Sequence, residues 1–250
     1  MNFYQYEGAG NSFLILDGRD LKALPTPLDV QKACKKAKKD GFLILTKSAH
    51  YAYKMLYFNA DGSETFCGNG ARVMAHFAAE LGILKTVGFF EALDGVHEAK
   101  WNGKEWGISM NNVPFSEIRP VLDGYYVHTG VPHYIQKTEN LEKIDFPALA
   151  HPIRHNTAIF PQGVNVNFYE IKKQADVLEE VHLRSYERGV EAETLACGTG
   201  AVGLGLILAH IDQKKSPVIL HAKGGLLTLF FTKESDKFSQ IFLFGPVNKR

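Results

Sequence analysis

Glu64-Thr65-Phe66-Cys67-Gly68-Asn69-Gly70-Ala71 recurs, with a slightly longer spacer, as Glu193-Thr194-Leu195-Ala196-Cys197-Gly198-Thr199-Gly200-Ala201. Each stretch reads Glu-Thr, an apolar spacer, then Cys-Gly-polar-Gly-Ala. Each continues into an apolar segment of helical length, residues 72–82 and 202–211. Working outward, the match persists. Strand-like runs precede each cysteine, 50–58 and 176–186, and another pair lies upstream, 40–47 and 163–171. A hairpin follows each helix, with turns at Asn102-Gly103 and Gly224-Gly225, which tolerate positive φ. Even the openings correspond, Tyr4 to Phe13 with Tyr126 to Ile135.

The pattern predicts a mixed α/β fold of two pseudo-symmetric halves. Each half is a mixed sheet wrapped around a central apolar helix that begins at a cysteine, with an active-site cleft between the halves. The expected halves are 1–113, carrying Cys67, and 114–250, carrying Cys197; the join falls near Asn111 to Ile118. The lysine-rich segment 29–40 reads as a surface helix with its ammonium groups in water. Cys34 within it reads as a small buried hydrophobe.

Composition narrows the function. Of 250 residues, 45% are hydrophobic and 22% charged, enough for a core without staples. The net charge of +1 gives no electrostatic pull toward nucleic acid or an anionic membrane. No apolar run reaches the length of a membrane helix and the N-terminus has no secretory pattern. Three cysteines without a C-x-x-C pair argue against a zinc ribbon or thioredoxin-like motif and fit a reducing cytoplasm. The Gly8-to-Phe13 stretch is not a dinucleotide fingerprint, because Phe13 stands where the third glycine belongs.

A thiol at a helix N-terminus meets the positive end of the helix dipole and unpaired backbone N–H groups. Its pKa is expected to fall from about 8.5 toward neutrality. The same N–H groups bind a carboxylate, and the glycines let it approach. Two such centres aimed at one cleft would place Cys67 and Cys197 on either side of an α-carbon. One thiolate would remove a proton and the other thiol deliver one, with carbanion charge held by backbone dipoles. That is racemisation or epimerisation by two bases.

The stretches 58–72 and 186–201 resemble the two signatures of diaminopimelate epimerases, and the likeness extends over almost the whole chain. The resemblance implies interconversion of LL- and meso-diaminopimelate, in lysine and peptidoglycan precursor synthesis, with no pyridoxal phosphate, no metal and no other cofactor. It implies that Cys67 and Cys197 are the catalytic thiols. Gly68, Asn69, Gly198 and Thr199 would form the α-carboxylate cradle. Asn11, Asn59 and Asn165 would bind substrate, and Glu187 with Arg188 would hold the distal amine and carboxylate. A guanidinium fork suits that last task. His133 would help poise a thiol. The implied partner is the small-molecule substrate, neither nucleic acid nor membrane, and a homodimer is compatible with it.

The chain departs from the family pattern in several places. Val131 stands where an asparagine is usual, the loop at Asp40 is shortened, and no terminal strand is read after Gly245-Pro246. These changes imply looser recognition of the distal end. The alternatives are a proline racemase-like enzyme, disfavoured by Asn69 where histidine is usual, a phenazine-biosynthesis-like isomerase, in which an acid replaces the first thiol, and a non-catalytic amino-acid-binding or thiol redox protein.

Overall fold

The computed structural model describes residues 2–172 and 179–250. Residues 176–178, the start of one expected strand, lie outside the described residues. Contacts divide the chain into two units, Met1–Ser109 with Phe244–Arg250, and Met110–Leu243.

In the first unit β1 (Phe3–Gly8) pairs antiparallel with β2 (Asn11–Asp17). β2 is parallel to β3 (Gly41–Thr46), and the crossover carries α1 (Pro27–Ala37). β3 pairs antiparallel with β4 (Tyr53–Asn59), which is capped by β5 (Glu64–Thr65). The second crossover carries α2 (Gly68–Glu80) and brings β6 (Val87–Ala92) parallel to β4. β7 (Gly95–Trp101) and β8 (Trp106–Ser109) close the meander.

The second unit opens with β9 (Val113–Pro114) and β10 (Arg119–Val121), then repeats the plan. β11 (Gly124–His128) is antiparallel to β12 (Pro132–Lys137), and α3 (Phe146–Arg154) leads to β13 (Asn165–Lys172), parallel to β12. β14 (Glu180–Glu187) is antiparallel to β13 and capped by β15 (Ala192–Thr194). After α4 (Gly198–Ile211) comes β16 (Val218–Ala222), parallel to β14, and then β17 (Gly225–Lys233) and β18 (Lys237–Gly245), the last antiparallel to β9. The order of parallel and antiparallel neighbours in the two units is the same, so the repeat read around the cysteines is a repeat of topology.

One expectation is corrected. A terminal strand does follow Gly245-Pro246: β19 (Val247–Lys249) pairs antiparallel with β1, Tyr6 opposite Lys249. Pro246 lacks an N–H, but the next three residues complete the open edge of β1. Lys249 Nζ donates to Glu80 Oε2 at 2.8 Å, and Arg250 Nε to Glu7 Oε2 at 2.9 Å. Three residues are too few to show a strand period.

Local chemistry explains the helices. Thr26 and Asp29 form a capping box at α1, Pro27 sits in its first turn, and its lysines face water while Cys34 and Val30 are buried. α2 buries Ala71, Val73, Met74, Ala75, Phe77 and Ala78 against the sheet of its own unit. α4 is apolar all round and buried from Gly200 to Ala209, as expected of a central helix. Each buried leucine or isoleucine there stabilises the fold by roughly 1.5–3 kcal/mol. Close packing needs its glycines: a Cβ at Gly205 would lie 2.4 Å from Leu229 Cδ2. Among the described residues, no helix is long and apolar enough to cross a membrane.

Candidate active site

Both cysteines of the repeat are N-cap residues in extended backbone, Cys67 opening α2 and Cys197 opening α4. The expected carboxylate cradle residues therefore occupy first helical turns, Gly68 and Asn69 in one unit, Gly198 and Thr199 in the other. There the backbone N–H groups have no intrahelical acceptor. A Cβ added at Gly68 would meet nothing within 4 Å, so space lies open over that turn.

The first centre is backed by charge. Cys67 is half-buried, and its Sγ accepts from Gly70 N at 3.3 Å. Phe66 before it stacks on His97, rings parallel with centroids 4.4 Å apart. Burial works against charge on His97, yet Asp94 Oδ1 at 3.0 Å and the Ser109 carbonyl at 3.1 Å pull its pKa up. Asn69 is buried and its Nδ2 donates to Asn11 Oδ1, while Arg72 Nη2 donates to Asn69 Oδ1. Arg72 is fully buried, and burial pushes its guanidinium down to about 10, so it stays charged at neutral pH. Asn59 lies on β4, accepting from Tyr57 Oη and donating to Ser63 Oγ, each at 3.0 Å.

The second centre is backed by a neutral relay. Ser185 Oγ donates to Asn167 Oδ1 at 2.8 Å, and Asn167 Nδ2 lies 3.0 Å from His133 Nδ1. That nitrogen also faces the Tyr134 carbonyl at 3.4 Å, which can only accept, so the amide orientation is fixed. His133 Nδ1 is then the acceptor, and its Nε2–H donates to Thr199 Oγ1 at 2.9 Å. Thr199 Oγ1 lies 3.5 Å from Cys197 Sγ, and Thr129 Oγ1 donates to the Thr199 carbonyl at 2.9 Å. His133 is completely buried, and burial drives its pKa down to about 3, so the imidazole is neutral. It reaches the thiol through Thr199.

The expected lowering of both thiol pKa values is corrected at Cys197. Burial pushes this thiol far up, and the adjacent Glu187 carboxylate adds to the effect, overriding the helix end. Glu187 is itself raised by burial, although Thr194 Oγ1 donates to it at 2.6 Å. Cys34 is pushed up to about 11 by burial, consistent with an inert core thiol.

The expected Glu187-Arg188 pair is split by the backbone. Glu187 serves the Cys197 neighbourhood, whereas Arg188 Nη1 donates to the Gln162 carbonyl at 3.0 Å. Asn165 ties them to the sheet, its Oδ1 accepting from Arg188 N at 2.8 Å and its Nδ2 donating to the Pro132 carbonyl at 3.1 Å. Glu193, the repeat's acid, grips Arg184 through two bonds of 2.6 and 2.7 Å and is structural. Arg72 and Asn167 were missed in the sequence. The signals were a charge inside an apolar helix and a second asparagine at the alternate position of Val164 to Phe168. Among the described residues, Glu180, His182 and His221 have spacing that could hold a metal ion; they lie on β14 and β16 and take no part in either thiol centre.

These centres sit in a chain with close relatives. The family model described as diaminopimelate epimerase matches residues 3–113 and 125–250. A diaminopimelate epimerase of Flavobacterium psychrophilum is 35% identical over 98% of this chain and 96% of its own length. That of Chlorobaculum tepidum is 36% identical over 96% and 95%. In fold, the chain is similar to a Bacillus anthracis phenazine biosynthesis protein of the PhzF family, with TM-score 0.71, 17% identity and coverage of 99% and 96%. A probable proline racemase from Agrobacterium radiobacter K84 gives TM-score 0.65, 12% identity and coverage of 99% and 90%. Those two likenesses concern the fold alone; the sequence matches assign the chain to the diaminopimelate epimerase family, to which it belongs.

Proposed function

We propose that the chain interconverts LL- and meso-diaminopimelate without a cofactor, Cys67 and Cys197 exchanging a proton at one α-carbon from its two faces. The observation that carries this reading is the placement of each cysteine as the N-cap of a buried helix opened by glycines. Gly68, Asn69, Gly198 and Thr199 receive the α-carboxylate on backbone N–H groups. Asn11, Asn59 and Asn165 orient the substrate, and Arg188 takes the distal carboxylate. Glu187 acts near the Cys197 thiol, and His133 orients Thr199. The α-proton is a weak acid, so the two helix ends must hold the developing carbanion charge.

The setting is the cytoplasm, since all three cysteines are free and the chemistry needs reduced thiols. Val131 leaves the distal end with one amide fewer than the family pattern, which supports a broader substrate range; turnover of several other amino acids would bear this out, and strict diaminopimelate selectivity would remove it. The main test is deuterium exchange into the α-position of diaminopimelate in D2O. Cys67→Ser and Cys197→Ser should each lower epimerisation by at least about a thousandfold, the scale of losing a positioned acid or base. Wild-type exchange rates in both variants would end the two-thiol reading.

A further inference from the structure

Among the described residues the largest fully buried side chain is a cation, Arg72, on the apolar face of α2. Taking such a charge out of water is costly unless charges or hydrogen bonds offset it. Its Nη2 is bonded to Asn69, but Nε and Nη1 are buried without a hydrogen-bond partner. Helical side chains tilt toward the N-terminus, so a residue five positions into α2 reaches back over the first turn that Cys67 opens.

A guanidinium only donates. Asn69 must therefore turn its oxygen to Arg72 and its amide nitrogen to Asn11, whose oxygen accepts. Asn11 is left with its own Nδ2, a donor, as the uncommitted end of the relay. We infer that Arg72 is the positioning residue of the first thiol centre: its buried charge favours the Cys67 thiolate, and its donor-only fork sets Asn69 and Asn11 to present a donor to the substrate carboxylate. This rests on the thiol reading above and extends it to a residue that touches no substrate.

Other charged groups lie on or beside the elements around α2. Glu105 precedes β8 and favours the charged guanidinium, as a deprotonated Cys67 would. Lys249 on β19 and Tyr6 on β1 bond Glu80, and His76 pairs with Glu80, at the far end of the helix. His97 on β7 is held by Asp94 and stacks on Phe66.

The test is the pH profile of Cys67 alkylation by iodoacetamide in the full chain carrying Cys34→Ala and Cys197→Ser, which leaves one thiol. The midpoint should lie clearly below 8.5, the ordinary thiol value of about 8.5 being the reference. A midpoint at or above that value overturns the inference before any Arg72 variant is made. Arg72→Gln, which keeps a donor and loses the charge, should raise the midpoint by about one unit or more. Arg72→Lys, which keeps the charge and loses the fork, should leave it within a few tenths and, made separately in the chain that retains all three cysteines, raise KM for diaminopimelate. Arg72→Met serves as the neutral variant should Arg72→Gln not fold. An unchanged midpoint in a folded neutral variant sinks the idea. Because alkylation needs no epimerisation, loss of the proposed activity and loss of this role are read separately.

Discussion

The helix opened by Cys67 has a guanidinium and two asparagines behind it, whereas the helix opened by Cys197 has a serine, an asparagine, a neutral histidine and a threonine. The backbones are duplicates, and the helix dipole presents the same positive end at both N-termini. A two-base reaction, however, needs one thiolate and one thiol at the start of each turnover. Symmetric backbone cannot supply that difference, so on the proposed reading side chains would. The first centre combines partial exposure with a buried cation. The second combines burial with a neighbouring carboxylate, which keeps the proton on sulfur.

This contrast can be broken in measurable ways. The largest effect concerns His133. Its folded pKa of about 3 lies below the ordinary histidine value of about 6.5, so the unfolded chain binds the extra proton first. The contribution is complete above about pH 6.5 and is lost as pH falls toward 3; between pH 7 and 4 it amounts to about 3 kcal/mol. Denaturant unfolding of His133→Asn should show a correspondingly shallower acid loss than wild type. Equal slopes would mean that His133 is not held neutral.

Gly200→Ala comes next. The new Cβ would sit 2.3 Å from Asn167 Oδ1, inside the relay, and should cost about 1–3 kcal/mol in thermal or denaturant unfolding. Thr199→Val keeps the shape and removes the hydroxyl between His133 and Cys197. A roughly tenfold loss of kcat is expected, about 1.4 kcal/mol, with smaller change in KM. An unaltered kcat would show that the relay stops at Thr199. The smallest effect on stability belongs to Gly68→Ala, where nothing opposes a Cβ: unfolding should shift by no more than about 0.5 kcal/mol. The same variant should raise KM, because the methyl fills the space over the first turn.

The sequence carried the duplication because a twofold period in strands, an apolar helix and a glycine turn are local patterns. It carried Cys67 and Cys197 because their flanks repeat. It did not carry the difference between them. Arg72 is visible as a letter, but its burial depends on sheets packed around α2, and Asn167 becomes a relay member only once β13 lies parallel to β12 with His133 opposite Asn165. The rise of the Cys197 thiol is likewise a matter of burial and of Glu187, which lies ten residues away along the chain and beside it in space. β19 escaped because its partner strand lies at the other end of the sequence.

That strand also sets an order of events during synthesis. Arg250 bonds Glu7 across 243 residues, and β19 completes the edge of the unit to which β1 belongs. The first unit is thus discontinuous, and residues 110–243 are an insertion within it. As the ribosome delivers the chain, the second unit can finish folding while the first still waits, with an unpaired edge strand, for its last three-residue strand to emerge. The unit made first is the unit completed last.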